Sequence, residues 1–307
     1  MNLKSTNLKL TMEPQKTKRL IVLAGPTAVG KTNFAIQVAK YFNTEIISCD
    51  SRQIYKELNI GVARPSLKEL SEVKHHFIAS HSIHDPYDAG LYNQEVNSLL
   101  EELFKKQDIV IMTGGTGLYI KAATEGLDNL PPKNDQLRQQ LNFILESEGI
   151  VALRNIANSM EIDGNMVNLS NPQRIIRAIE IKQGKPDDMK EMPKNDFYST
   201  SYYYLNRERQ ELYNRINQRV DQMLKDGFEA EAKSLLPNRK LNALNTVGYK
   251  EFFSYFDGEI SKDMAINKMK QHTRNYAKRQ LTWFRNHGSY KEISTDVDLF
   301  LNIMKLG

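Results

Sequence analysis

The stretch Gly25-Pro26-Thr27-Ala28-Val29-Gly30-Lys31-Thr32 constrains this chain more than any other. It fits G-x-x-x-x-G-K-[ST], a loop whose successive backbone N–H groups converge on phosphate oxygens. The lysine adds positive charge and the threonine hydroxyl is placed to ligate Mg²⁺. Such a loop needs a buried strand before it and a helix after it, because the positive helix N-terminus faces the anion. Both flanks comply. Leu20 to Ala24 is an unbroken apolar run, and Phe34, Ile36, Val38, Ala39 and Phe42 recur at helical spacing. A phosphate or diphosphate site follows, but the motif does not say whose phosphates.

Composition narrows the class. The 307 residues are 40% hydrophobic and 26% charged, as in a soluble globular protein of one large or two modest domains. The single cysteine, Cys49, excludes a disulfide framework and a cysteine-based zinc site. The six histidines, His75 and His76 among them, show no metal-ligand spacing and read as structural. No apolar run approaches the roughly 18 residues that a membrane span needs. The first residues, through Arg19, are polar and lysine-rich without the apolar core of a signal peptide, so a cytoplasmic protein without membrane contact is expected.

Further along, Glu45 to Cys49 and Asp108 to Met112 read as buried strands. Each ends in a polar loop, Asp50 to Tyr55 and Thr113 to Gly117 respectively. Lys74 to Ser80 reads as another strand and Asp88 to Lys106 as a helix. Strands alternating with helices predict an α/β fold, a P-loop NTPase-like doubly wound parallel sheet with its ligand beyond the carboxyl ends of the strands. The loop, Asp50 and Thr116 would then converge on one crevice. From about Asp128 the pattern turns helical: Gln136 to Ser147, Val151 to Met160, and Pro172 to Gln183 with Asn171 as N-cap. Thr200 to Leu205 reads as a strand returning to the sheet. The expected domains are a flexible tail over 1–18, a core over 19–127 and 200–307, and a helical insertion over 128–199. The carboxyl-terminal part of the core reads as wholly helical.

Asp50, at a strand end beside the loop, has three readings: a Mg²⁺ ligand, a base, or a cap for the following turn. Between Met264 and Lys291 stand seven basic residues and no acidic one. Lys270, Arg274, Lys278 and Arg285 form one stripe along a helix, which suits a nucleic-acid phosphate backbone. Arg174 and Arg177 share a face of the insertion helix, and Arg209, Arg215 and Arg219 punctuate a later helix.

Taken in order, GPTAVGKT at 25–32, CDSRQIY at 49–55, IGVARP at 60–65, GGTGLYIKA at 114–122, NPQRIIRAIE at 171–180, TVGYKE at 246–251 and TRNYAKRQLTWFRNH at 273–287 resemble the tRNA dimethylallyltransferases. The resemblance runs from Leu20 to His287. Val62 departs from it, standing where the family commonly has threonine, and Ser170-Asn171-Pro172 replaces the usual Asn-Asp-Pro.

The resemblance implies a use for the loop: Gly25, Pro26, Thr27, Ala28, Val29, Gly30, Lys31 and Thr32 would hold the diphosphate of dimethylallyl diphosphate. Mg²⁺ would sit on Thr32. Asp50 would accept the proton from N6 of the adenosine 3′ of the anticodon, with Thr32, Lys31 and Arg209 stabilising the leaving diphosphate. Asp50, Ser51, Arg52 and Gln53 match stretches that meet the tRNA anticodon stem-loop in that family. So do Thr116, Arg138, Gln173, Arg174, Ile175, Ile176 and Arg177, and Asn245, Thr246, Val247, Gly248, Tyr249 and Lys250. Lys270, Arg274 and Lys278 are added to the RNA contacts from the stripe, and a monomer is expected. Two alternatives use the same loop: a P-loop kinase of a small molecule, and a nucleotide-gated RNA-binding protein.

Overall fold

Leu20 to Ala24 are all 0% exposed, so this first strand is covered on both faces, the pattern of a central parallel strand. The computed structural model describes residues 18–127, 130–162, 164–165, 167–184, 197–287 and 290–306. Most of the expected N-terminal tail, and much of the polar stretch after Gly184, lie outside them. Six strands form one sheet in the order β3-β2-β4-β1-β5-β6, every pair parallel. The strands are β1 (Lys18–Ala24), β2 (Ile46–Ser48), β3 (His75–His76), β4 (Ile109–Gly114), β5 (Tyr198–Leu205) and β6 (Lys291–Ile293). Leu23 stands opposite both Thr113 and Tyr203, which brings the carboxyl ends of β4, β1 and β5 level.

Side chains alternate across β1. Leu20, Val22 and Ala24 join one core cluster, while Ile21 and Leu23 join another on the opposite face. The second face is covered by α1 (Lys31–Phe42) and α11 (Val297–Leu306), where Phe34 meets Phe300 with ring centroids 5.4 Å apart. Over the first face lie α3 (Ala89–Leu103), α4 (Gly117–Glu125), α8 (Phe228–Leu235), α9 (Tyr249–Phe256) and α10 (Lys262–Asn286). The remaining helices of this part are α2 (Leu67–Glu72) and α7 (Arg209–Lys225). Among the described residues no helix is long and apolar enough to cross a membrane.

The chain divides into two compact units, Met1–Glu125 with Lys194–Gly307, and Gly126–Pro193. The smaller unit holds α5 (Asp135–Ser159), interrupted at Gly149 where φ is 78°, and α6 (Pro172–Gln183). Leu141, Leu153, Ile175 and Ile179 are in its core. Glu180, also buried there, accepts from Arg138 Nε (2.5 Å) and Nη2 (2.7 Å), from Arg177 Nη1 (3.2 Å) and from the Asn134 amide (3.2 Å). Burial alone would raise this carboxyl, but these bonds outweigh it and hold it below the usual range.

Arg138→Met is therefore expected to destabilise the unit, toward the lower end of the roughly 3–5 kcal/mol typical of a broken buried pair, because Arg177 remains. A group depressed in the folded state stabilises above its unfolded pKa. The cost should thus be full at neutral pH and shrink as pH falls through the range in which Glu180 protonates. Urea unfolding at pH 7 and pH 4 measures the difference.

One element, β6, departs from the sequence reading of a wholly helical end. β6 adds a sixth strand beside Tyr203–Leu205, and α11 closes the second face of the sheet. β5 starts at Tyr198, two residues before the expected return, and the strand expected over Lys74 to Ser80 is only His75–His76.

Candidate active site

The loop between β1 and α1 is shaped by residues that tolerate positive φ. Gly25 sits at φ 153° and Gly30 at φ 108°, and a Cβ on Gly25 would come within 3.0 Å of the Leu205 carbonyl oxygen. Ala28 also takes φ 65°, where non-glycine residues are uncommon and strain gathers at functional turns. No side chain caps the N-terminus of α1, so its amides stay available to an anion.

The loop is held from outside. Arg207 Nε donates to the Val29 carbonyl (2.9 Å), Arg215 Nε to the Ala28 carbonyl (2.8 Å) and Arg219 Nη1 to Thr27 Oγ1 (3.4 Å). The Thr27 amide donates to Gln280 Oε1 at 2.9 Å. Lys31 Nζ folds back on the loop, donating to the Gly25 (2.9 Å) and Pro26 (2.7 Å) carbonyls. Arg215 and Arg219 are one turn apart on α7, beside its buried Leu212, Ile216 and Val220, which turns both guanidinium groups toward the loop.

A cavity of about 710 Å³ opens in front of the loop, at the carboxyl ends of the strands. Thr27, Lys31 and Thr32 form one wall, joined by Arg215 and Arg219. Asp50, Thr116 and Tyr276 line the same cavity. Asp50 Oδ1 accepts from the Arg52 (2.9 Å) and Gln53 (3.2 Å) amides, so the capping reading holds for this oxygen, and the turn aims the carboxylate. The Ser51 amide donates to Thr116 Oγ1 at 3.1 Å, tying the β2 and β4 loops together.

The electrostatics call for an anion. Burial pulls Lys31 down to about 8; Asp50 opposes that and Arg219 adds to it. Burial, then the neighbouring Arg215, also lowers Arg219. Burial and the nearby Asp50 charge push the Tyr276 hydroxyl up to about 12, so it stays a neutral donor.

An anion on the loop must restore the proton that Lys31 loses above pH 8. Affinity for diphosphate is therefore expected to be flat below about pH 8, then to fall by up to tenfold per pH unit above it. Calorimetry in buffers of different ionisation heat should find up to one proton taken up per ligand bound in that window, and none in Lys31→Met.

The chain is similar to known proteins. The IPP transferase family model matches residues 53–287. The chain belongs to the IPP transferase family. A tRNA dimethylallyltransferase of Christiangramia forsetii is 45% identical over 90% of this chain and 93% of its own. The full-length tRNA isopentenylpyrophosphate transferase of Bacillus halodurans shares the fold with a TM-score of 0.68 and 33% identity, covering 94% of each chain. A eukaryotic dimethylallyltransferase, solved as it acts on tRNA, matches 91% of this chain and 74% of its own, with a TM-score of 0.70 and 26% identity.

In this IPP transferase, Thr27, Ala28, Gly30, Lys31, Thr32, Asp50 to Gln53, Thr116, Asn245 to Val247 and Lys250 all line the one cavity. Gly25, Pro26 and Val29 lie buried beneath it. Arg209, expected on the diphosphate, is instead exposed at the start of α7, with its guanidinium 5.3 Å from the Tyr213 ring centroid. Arg215 and Arg219 of the same helix line the cavity, and their signal was the i, i+4 spacing beside buried positions.

Gly248 and Tyr249 are buried behind the wall, the Tyr249 hydroxyl on Glu231. In the smaller unit the Ile175 and Ile176 side chains are core, and Arg138 and Arg177 hold Glu180, leaving Gln173 and Arg174 exposed. The stripe is uneven. Lys270 pairs with Asp221 at 2.6 Å and Arg274 bonds Asn217 at 2.6 Å, whereas Lys278 is exposed. His75, read from sequence as structural, lines the cavity; its Nδ1 faces the Val73 carbonyl (2.8 Å) and its buried Nε2 has no hydrogen-bond partner among the described residues.

Proposed function

We propose that the protein transfers the dimethylallyl group of dimethylallyl diphosphate to N6 of the adenosine 3′ of the anticodon in tRNA, releasing diphosphate. One observation carries the reading. Lys31, Arg215, Arg219 and the loop amides share one cavity with Asp50, a carboxylate that the Arg52 and Gln53 amides hold in place. That pairs a site for a departing anion with a proton acceptor. The names of the relatives support the same reaction.

The adenine amine is a poor nucleophile because its lone pair is delocalised into the ring. Asp50 Oδ2 accepts a hydrogen bond from N6 and takes the proton as the C–N bond forms. The bond from the allylic carbon to the diphosphate oxygen breaks, and the negative charge that gathers there is offset by the loop amides, Lys31, Arg215 and Arg219. The base reaches this cavity only by leaving its stack. Exposed cations of α10, with Gln173 and Arg174 of the smaller unit, suit contact with the RNA.

Mg²⁺ fits the donors present. Thr32 lines the cavity beside Lys31, and a hydroxyl is the kind of oxygen donor that this ion takes alongside waters and diphosphate oxygens. Thr32 is the residue that would hold it, and when bound it supplies further charge neutralisation to the leaving group. The protein is read as a cytoplasmic monomer.

The test is incubation with labelled dimethylallyl diphosphate and unmodified tRNA, with ATP in a parallel tube. Label in the tRNA and no ATP turnover are expected. ATP hydrolysis or phosphate transfer without RNA labelling would move the assignment to a kinase.

A further inference from the structure

Helix α10 meets the cavity loops through three residues at helical spacing i, i+4 and i+7: Tyr276, Gln280 and Trp283. Gln280 is 6% exposed and its amide is satisfied at both ends. Oε1 accepts from the Thr27 amide of the diphosphate loop at 2.9 Å, and Nε2 donates to the Gly115 carbonyl at 2.9 Å. The approach is too close for side chains on the opposing loop. A Cβ on Gly115 would lie 2.1 Å from Gln280 Nε2, and one on Gly117 would lie 2.0 Å from Trp283 Nε1. The glycines around Thr116 are thus explained by the seating of α10 on the loop. The Tyr276 hydroxyl also bonds Thr116, whose Oγ1 receives the Ser51 amide beside Asp50.

By helix geometry, Lys278 and Arg285 project from roughly the opposite side of α10, and both are exposed. One rigid element therefore presents cations outward and grips the diphosphate loop inward. Gln280 lines the cavity, but both ends of its amide are taken by the two loops rather than offered to a ligand. It holds the amide of a residue that lines the site.

We infer that Gln280 is a positioning residue through which the RNA-facing helix sets the diphosphate loop, so that RNA seated on α10 tightens the hold on diphosphate. The Thr27 amide has no slack. If α10 shifts, either the Gln280 bond breaks, leaving two buried polar groups unpaired, or the loop follows. RNA that fixes α10 removes that freedom and lowers the cost of ordering the loop around the anion. The inference rests on the reading that the loop takes diphosphate and that α10 meets RNA.

The test uses inorganic diphosphate, which gives no reaction with unmodified RNA, and an unmodified anticodon stem-loop. Diphosphate affinity is measured with and without saturating stem-loop, in the wild-type protein and in Gln280→Met, which keeps the length and apolar stem but neither hydrogen bond. The wild-type protein is expected to bind diphosphate at least fivefold tighter with the stem-loop, and Gln280→Met to show less than a twofold difference while still binding each ligand alone. A merely structural role would lower the melting temperature and leave the ratio unchanged. An equal ratio in both proteins, or none in the wild type, overturns the inference.

Failure of the underlying reading looks different, because diphosphate or RNA would then not bind by itself. If Gln280→Met does not fold, hydrogen exchange at the wild-type Thr27 amide decides. Slower exchange on adding stem-loop supports the inference, and unchanged exchange overturns it.

Discussion

Asp50→Ala is expected to slow alkylation by roughly 10²–10⁴-fold, the usual range for a lost general base, while tRNA binding stays within roughly tenfold. The argument is geometric. Asp50 lines the same cavity as Lys31, Arg215 and Arg219, and the Arg52 and Gln53 amides fix one of its oxygens. The substitution also removes that cap, which costs about 1 kcal/mol in comparable turns and is too little to unfold the protein. Asp50→Asn separates the two effects, since its carbonyl oxygen can keep the cap but cannot accept a proton. Single-turnover rates of Asp50→Asn near wild type would remove the base from Asp50. Rates as low as those of Asp50→Ala would show that the proton, and not the turn, is what matters.

The second large effect concerns the arginines. Arg219→Ala should weaken diphosphate handling by roughly 10- to 150-fold, the equivalent of the roughly 1.5–3 kcal/mol that a hydrogen bond to a charged group contributes. Arg219 is half-buried beside another cation with its pKa lowered, so its charge is held at the cavity at a cost that a bound anion relieves. It also contacts Thr27. Arg209→Ala should change the same constants less than twofold, because Arg209 is exposed and stacked on Tyr213. Measuring KM for dimethylallyl diphosphate and kcat in both variants decides. The reverse ranking would return the diphosphate contact to Arg209 and require α7 to turn on binding.

The contrast between these arginines shows how far the sequence could be read. The loop was legible because its chemistry is local: two glycines at positive φ, a lysine and a threonine in one turn. Strands β1 and β4 were legible because buried parallel strands are continuous apolar runs. Arg209 was chosen by matching a motif, whereas the residues that face the cavity are fixed by which side of α7 is buried. That side could be read from Leu212, Ile216 and Val220.

β6 escaped because Lys291-Glu292-Ile293 is three mixed residues on a sheet edge, with no periodicity to detect. The capping box of α2, Ser66 with Glu69, was a legible signal that the segment's Pro65 and shortness obscured. His75 and Gln280 could not have been found from spacing at all. One matters for an unpartnered nitrogen in a cavity wall and the other for reaching two loops 165 and 253 residues away in sequence. Ile175 and Ile176 show the converse, two core residues in a family-matched stretch that leaves Gln173 and Arg174 on the surface.

The central claim is that the loop holds the diphosphate of an allylic donor while Asp50 receives the proton of an adenine amine. A rapid-quench single turnover tests it most directly, with enzyme in excess over labelled dimethylallyl diphosphate and an unmodified anticodon stem-loop, following both products from one tube. The account predicts N6-dimethylallyladenosine and free diphosphate appearing at equal rates and in equal amounts, with neither formed when the target adenosine is replaced by guanosine. Diphosphate released without alkylated RNA, or at the same rate with the guanosine stem-loop, would contradict it.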